Sequence, residues 1–206
     1  GSLAWLNPPP AAAWESAGAL LRALGALDAG GSATAAGRTL AGLPLHPRLG
    51  RLLLRATDAG QLRLGADLAA LLAERDIFRR RPTAAGGRRR GTDIGERLDV
   101  LRQWRREKKA PEGADPWVLR AVDQVAQQLR QLLEKAPAAT GAGIAEPLPR
   151  LLLAAYPDRI AKRREGNSDR YILRPGRGMR LQATSGSPGS GYIIAVHVDA
   201  GEKAEG

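Results

Sequence analysis

The sequence predicts a mainly α chain that ends in a small antiparallel β unit. From residue 11 to residue 155, apolar side chains recur three or four positions apart. From residue 170 onward that spacing gives way to alternation, and clusters of proline and glycine punctuate both regions. With 206 residues, 43% of them hydrophobic, the chain has enough material for real cores in one or two domains.

Pro8, Pro9 and Pro10 stop any preceding element, and Pro10 can open a helix in AAAWESAGALLRALGALD, whose stripe is Trp14, Ala17, Leu20, Leu21 and Leu24. Ala29, Gly30 and Gly31 end it, Ser32 to Thr34 suit a short strand or wing, and a second short helix follows near Ala36 to Leu43. Pro44 and Pro47 disfavour helix at Leu43 and His46, so LPLHPRL is a joint where one helix ends and another restarts. Leu45 is expected beneath that joint, Arg48 on its surface, and His46 as a hydrogen-bonded spacer.

After Pro47, one helix presents Leu49, Leu52, Leu53 and Ala56, and Gly60 closes it. A second presents Leu64, Leu68, Leu71 and Leu72, so the two predict an antiparallel pair. Residues 79–91 have no periodicity and read as a mobile basic loop. Thr92 can cap the next helix, with Asp93 and Glu96 at its positive end and Arg105, Arg106, Lys108 and Lys109 at its negative end. Its stripe is Ile94, Leu98, Leu101 and Trp104. Asp115 caps a helix from Pro116 to about Glu134 with Val118, Val122, Val125, Leu129 and Leu132 inward. KAPAATGAGIAEP is a flexible connector, and a last short helix spans Leu148 to Ala155.

Three strands are expected: Arg170 to Arg174, Met179 to Gln182 after a turn at Pro175, and Tyr192 to Val198 with Tyr192, Ile194, Val196 and Val198 on one face. A sheet of three strands ending in GEKAEG has an unfilled edge and reads as truncated. The Gly1-Ser2 start reads as a tag remnant on an excised fragment.

The formal charge of +11 is concentrated. Residues 79–109 hold ten arginines and two lysines against four acids, and residues 159–180 hold eight basic groups against two acids. Two basic segments on a nearly neutral remainder point to a polyanion, with nucleic acid the leading class. The competing explanation is solvation of exposed faces in an arginine-rich protein, and salt-dependent retention on nucleic acid separates the two.

Sequence motifs for other chemistry are absent. No glycine precedes a lysine, so there is no phosphate loop of the GxxxxGK[ST] kind. Gly141-Ala-Gly143 begins a GxGxxG pattern, but Glu146 replaces its last glycine and no strand precedes it. Cysteine is absent, and His46 and His197 stand 151 positions apart, so neither a thiolate site nor a histidine cluster is predicted. No serine or threonine can be tied to a histidine base and an acid, and no catalytic residue is assigned. Asp67, Glu74 and Asp76 read as surface charge or as partners of Arg75 and Arg79. No apolar run approaches the roughly 18–20 residues that span a membrane.

The nucleic-acid candidates are Arg88, Arg89 and Arg90 in the basic loop, Arg97, Arg102 and Arg105 on a helix, and Arg163, Arg170, Tyr171, Arg177 and Arg180 near the strands. Arg97, Arg105 and Lys108 can share one helical side and track phosphates. Tyr171 offers a stacking surface among cations, as single-strand binders use. With aromatics at 4%, stacking cannot be extensive, so phosphate contacts should dominate and sequence preference should be weak.

The run from LLRALGALD through TAAGRTLAGLPLHPRLGRLLLRA to LGADLAALLAERDIFRRRP resembles the helicase-associated region of DEAH-box helicases. LLLAAYPDRIAKRR and RYILRPGRGMRL are similar to the bacterial HrpB-type ATP-dependent helicases. The resemblance implies a winged-helix remnant over residues 1–44, a helical ratchet bundle over 45–157, and an incomplete oligonucleotide/oligosaccharide-binding (OB) barrel over 158–206. It further implies a cytoplasmic protein whose RecA-like motor domains, outside this sequence, bind ATP and Mg²⁺ and hydrolyse the nucleotide. This chain itself would need no cofactor and perform no catalysis. Its implied partners are single-stranded RNA or DNA and those motor domains. Arg97, Arg102 and Arg105 would then lie in the ratchet region, and Arg170, Arg177 and Arg180 on a barrel hairpin bordering the channel. PDRIAKRR, with Arg159, Lys162 and Arg163, is either an inter-domain brace or a phosphate contact. Two alternatives stand beside this: a module docking a protein or ribosomal partner through the same arginines, and a hydrolase or transferase with an unrecognised site.

Overall fold

The computed structural model describes residues 7–78, 93–134, 147–165, 169–173, 176–181 and 190–198. The basic loop with Arg88, Arg89 and Arg90, the Thr92 cap and the connector at 135–146 lie outside the described residues. Among the described residues seven helices come first: α1 (Ala11–Ala23), α2 (Ala35–Ala41), α3 (Pro47–Asp58), α4 (Leu62–Ala73), α5 (Ile94–Glu107), α6 (Pro116–Glu134) and α7 (Leu148–Ala155). Four short strands follow: β1 (Ile160–Arg163), β2 (Arg170–Leu173), β3 (Arg177–Arg180) and β4 (Tyr192–Ile194). The expected mainly α chain with a terminal antiparallel β unit is what forms. Among the described residues no helix is long and apolar enough to cross a membrane.

α1 ends earlier than the run Ala29 to Gly31 predicts. Gly25 adopts φ +69°, and the amides of Gly25 and Ala26 bond the carbonyls of Arg22 and Leu21, a Schellman closure that only a residue free to be left-handed makes without strain. The expected α1 stripe is also only partly realised: Leu24 is buried, but Trp14 and Ala17 are exposed. The expected short strand at Ser32 to Thr34 appears as an isolated bridge between Leu27 and Ala33.

The helical body is built around α4, whose residues from Gly65 to Leu71 are all buried. It packs against α3, α5 and α6, and α7 closes on α3. Leu52, Leu68, Leu101, Leu119 and Leu151 anchor the main core, while Leu49, Leu53, Leu129 and Leu133 share a second with Ala66 and Ala69. Gly65 permits the close approach of α3, since a Cβ there would overlap the Ala56 methyl. On α6 the inward residue near the end is Leu133, not Leu132, because four positions from Leu129 return close to the same face while three fall well short of a full turn. α5 is capped by Asp93, whose carboxylate accepts from the Gly95 amide, and α6 by Asp115, which accepts from the Trp117 amide.

Among the described residues the sheet holds four strands in the order β3-β2-β1-β4, all neighbours antiparallel, rather than the three expected. The additional strand, β1, lies in PDRIAKRR. The last strand stops at Ile194, short of Val198, because its partner β1 begins at Ile160 and offers nothing further to pair with. Arg159 instead holds the departing chain: its carbonyl accepts from the Ala195 amide, and its guanidinium donates to the Val196 carbonyl.

Candidate nucleic-acid interface

Register fixes which strand residues share a face, since directly opposed residues in an antiparallel pair project to the same side. Arg163, Tyr171 and Met179 form one row, with Ala161 and Leu173 beside them. This face is covered at its centre, where Ala161 and Tyr171 are both fully buried. On the opposite face Arg170 stands across from Arg180, and a second row runs Gly178, Ile172, Lys162, Tyr192. Every member of these two rows is exposed. Ile160 and Ile194 bound the face at one end, where Ile194 packs against the main helical core.

The open face is cationic with apolar and aromatic surface between the charges. Tyr192 is 64% exposed and pairs in register with Lys162. Placing Arg170 directly opposite Arg180 is unfavourable by itself. Asp169 relieves part of that repulsion: its carboxylate accepts from Arg180 Nε at 2.7 Å, which holds the Asp169 pKa below its usual value and raises that of Arg180. Lys162 and Arg170 make no ion pair among the described residues.

Several expected positions are corrected. Tyr171 cannot stack on a base, because its ring is buried and its hydroxyl donates to the Ser190 carbonyl at 3.0 Å. Arg177 lies opposite Leu173, on the other face from Arg170 and Arg180. Arg163 is half-buried in the Tyr171 row. Ile172 was legible by parity, two positions from Arg170 on a strand. Tyr192 was not, because its register partner is remote in sequence.

The helical arginines do not form one open, phosphate-tracking side with Lys108. Arg105 is 14% exposed and bridges two acids, donating through both terminal nitrogens to Asp67 and through Nε to Asp123 at 2.7 Å. Burial lowers its pKa, but the hydrogen bonds it donates to Asp67 and Asp123, with their charges, outweigh that and the net direction is upward. Asp67 is therefore a buried core partner rather than surface charge. Arg97 pairs with Asp76 at 2.6 Å and lies over the Phe78 ring. Arg102 alone of the three is substantially exposed, in a looser contact of 3.4 Å with Asp99.

The joint at LPLHPRL also differs at one residue. Pro47 opens α3 and the His46 imidazole caps it, with Nδ1 accepting from the Arg48 amide at 3.2 Å. Arg48, however, is buried rather than on the surface. Its guanidinium donates to the Ala155 carbonyl at 3.0 Å and to both Asp158 oxygens at 2.6 and 2.7 Å, over the Tyr156 ring. Arg159 also lies over Tyr156. At Asp158 and Arg159, PDRIAKRR is thus a brace tying the joint, α7 and the sheet together, whereas Lys162 points from the open face. The Arg48 hydrogen bond holds Asp158 below the usual carboxylate pKa, and burial with the nearby Arg48 and Arg159 charges holds His46 below its own.

No group of acids or histidines among the described residues is placed to hold a metal. The helicase-associated domain (HA2) winged-helix family matches residues 19–45, which cover the C-terminal end of α1, the bridge, α2 and the chain into the joint. Over 193 residues, 94% of its length, the chain is 30% identical to the ATP-dependent RNA helicase HrpB of Escherichia coli (strain K12) and spans 20% of that protein. Similar solved structures include two of HrpB. The E. coli DExH-box NTPase HrpB gives a TM-score of 0.63 at 29% identity, covering 93% of this chain and 20% of that one. The Escherichia coli DEAH/RHA helicase HrpB gives 0.61 at 28%, covering 92% and 20%.

Proposed function

We propose, from the premise that this chain is the counterpart of the C-terminal region of an HrpB-type helicase, that it holds a single strand on the open sheet face and couples it to the parent's motor domains. The observation that carries this reading is the face itself: Arg170 across from Arg180, and Lys162 between exposed Ile172 and Tyr192. Like charges held together, with an aromatic ring beside them, suit a phosphate backbone and its unpaired bases. The relative's name, an RNA helicase, favours RNA as the strand. In this reading residues 1–44 act as winged helix, 45–157 as ratchet and 158–206 as an OB-like unit. ATP and Mg²⁺ belong to RecA-like domains of the parent, in the cytoplasm, and this chain supplies no catalytic group.

The Arg48 to Asp158 brace supports the coupling half of the proposal, because it makes the sheet and the start of α3 one mechanical unit. Binding is tested with a fluorescent single-stranded RNA at low salt, comparing the chain with a Lys162→Ala, Arg170→Ala, Arg180→Ala variant. Roughly a tenfold or greater loss of affinity is expected. No binding by the parent sequence, or equal binding by the variant, refutes the reading.

A further inference from the structure

The start of α6 has surface chemistry that the sheet face does not explain. Trp117 is 70% exposed, the most exposed of the large hydrophobic side chains among the described residues, although it opens a helix that buries Val118 and Leu119 next to it. Arg120 lies over its ring, 5.3 Å from the centroid, so a guanidinium is held beside the indole in solvent. Helical geometry places Gln124, Gln128 and Gln131 on the same narrow stripe as Trp117 and Arg120, and all three are exposed. No acid interrupts that stripe: Asp123 turns away to Arg105. The chain leading into α6 adds exposed Arg106, Lys108 and Lys109 against exposed Glu107 and Glu112.

We infer that this corner of α5 and α6 is a second contact for single-stranded nucleic acid, in which Trp117 stacks on an unpaired base. Arg120 flanks the stacked base and supplies positive charge to the adjacent phosphate. The glutamine amides offer both donors and acceptors to base edges, which a purely cationic face does not. The excess of cations disfavours a neutral or basic occupant, and the largely exposed indole with a guanidinium on it favours the stacked bases of a single strand over an acidic helix, which has no flat ring to offer at every step. The inference rests on the proposed single-strand function but on a different element, so the two can fail separately.

The test compares a labelled single-stranded RNA with an abasic strand of equal length and charge, using the full chain and its Trp117→Ala and Trp117→Phe variants. The full chain should prefer the base-bearing strand by roughly 5- to 100-fold, the range one stacked base gives. Trp117→Ala should cut that preference by roughly fivefold or more, the remainder belonging to Tyr192 on the sheet face, while leaving abasic binding unchanged, and Trp117→Phe should restore part of what is lost. Because Trp117 faces solvent, the variants should keep the parent's unfolding temperature. A Trp117→Ala chain that keeps the full preference overturns the inference and leaves the surface to a protein partner. The sheet-face variant is measured in parallel. If it loses affinity while Trp117→Ala does not, the second contact falls and the single-strand function stands. If the parent chain binds neither strand, both fall.

Discussion

At Arg48 a charged side chain is only 8% exposed, yet its guanidinium meets two carboxylate oxygens and a carbonyl. Removing the acid would leave that cation buried with a single acceptor, which is the costly half of any buried pair. Asp158→Asn keeps the shape and one acceptor, and Asp158 is itself half exposed, so the expected loss is about 1–2 kcal/mol by urea denaturation. Unchanged stability would mean the brace is ornamental. His46 gives a pH dependence of definite sign. Its folded pKa is lowered from 6.5, so the unfolded chain binds the proton more readily, and its contribution is complete above 6.5 and lost as pH falls through the folded value. Protonation also removes the Nδ1 lone pair that caps Arg48. The unfolding temperature should therefore drop on acidification from neutral pH, and His46→Asn, which retains a capping oxygen, should flatten that part of the profile. The histidine's role was legible from its place before Pro47. The arginine's was not, because its partner lies 110 positions away and no local spacing reports it.

Among the elements, the helices were the most legible, because each needs a stripe at its own period to bury. The residues that broke the pattern did so for geometric reasons: Leu132 falls short of the α6 seam, and Trp14 lies on α1, a helix that buries none of its own residues. β1 was hidden because IAKR has four residues, of which only Ala161 is buried, and a strand that short is defined by its partners rather than by its own alternation. Two glycines inside helices turn this into a prediction of opposite signs. At Gly65 an added methyl meets the Ala56 side chain in the α3 and α4 interface. The gain in helix propensity, about 1 kcal/mol, is then exceeded by overpacking of about 1–3 kcal/mol. At Gly18 the nearest atoms are the end of the Arg22 side chain at 3.6 Å, which can move aside. Gly65→Ala should lower the unfolding temperature and Gly18→Ala should raise it. Equal shifts in the two variants would show that α3 and α4 are less closely packed than described.

For the whole molecule, the sequence shows where charge is concentrated but not which charges remain available to a partner. Of the helical cations, Arg97 and Arg105 are each tied to carboxylates, as Arg48 is in the brace, so these arginines are neutralised by acids already counted in the net charge and the excess of +11 resides on other cations. Lys162 and Arg170 project from the open face with Arg180, whose charge Asp169 only partly offsets. This division makes a quantitative prediction about salt. Each cation that neutralises a single-strand phosphate contributes about 0.7 to the slope of log affinity against log salt. Replacing Lys162, Arg170 and Arg180 with alanine should therefore make that slope shallower by about 2, because three phosphate contacts are lost. Arg105→Gln should behave differently: it uncouples Asp67 and Asp123 inside the helical body and should lower stability while leaving the slope of the folded protein unchanged. A slope that responds to Arg105 but not to the sheet residues would move the strand from the β unit to the helices. The same pair of measurements thus decides whether the arginines most conspicuous in the sequence, or the smaller set left open by folding, meet the phosphates.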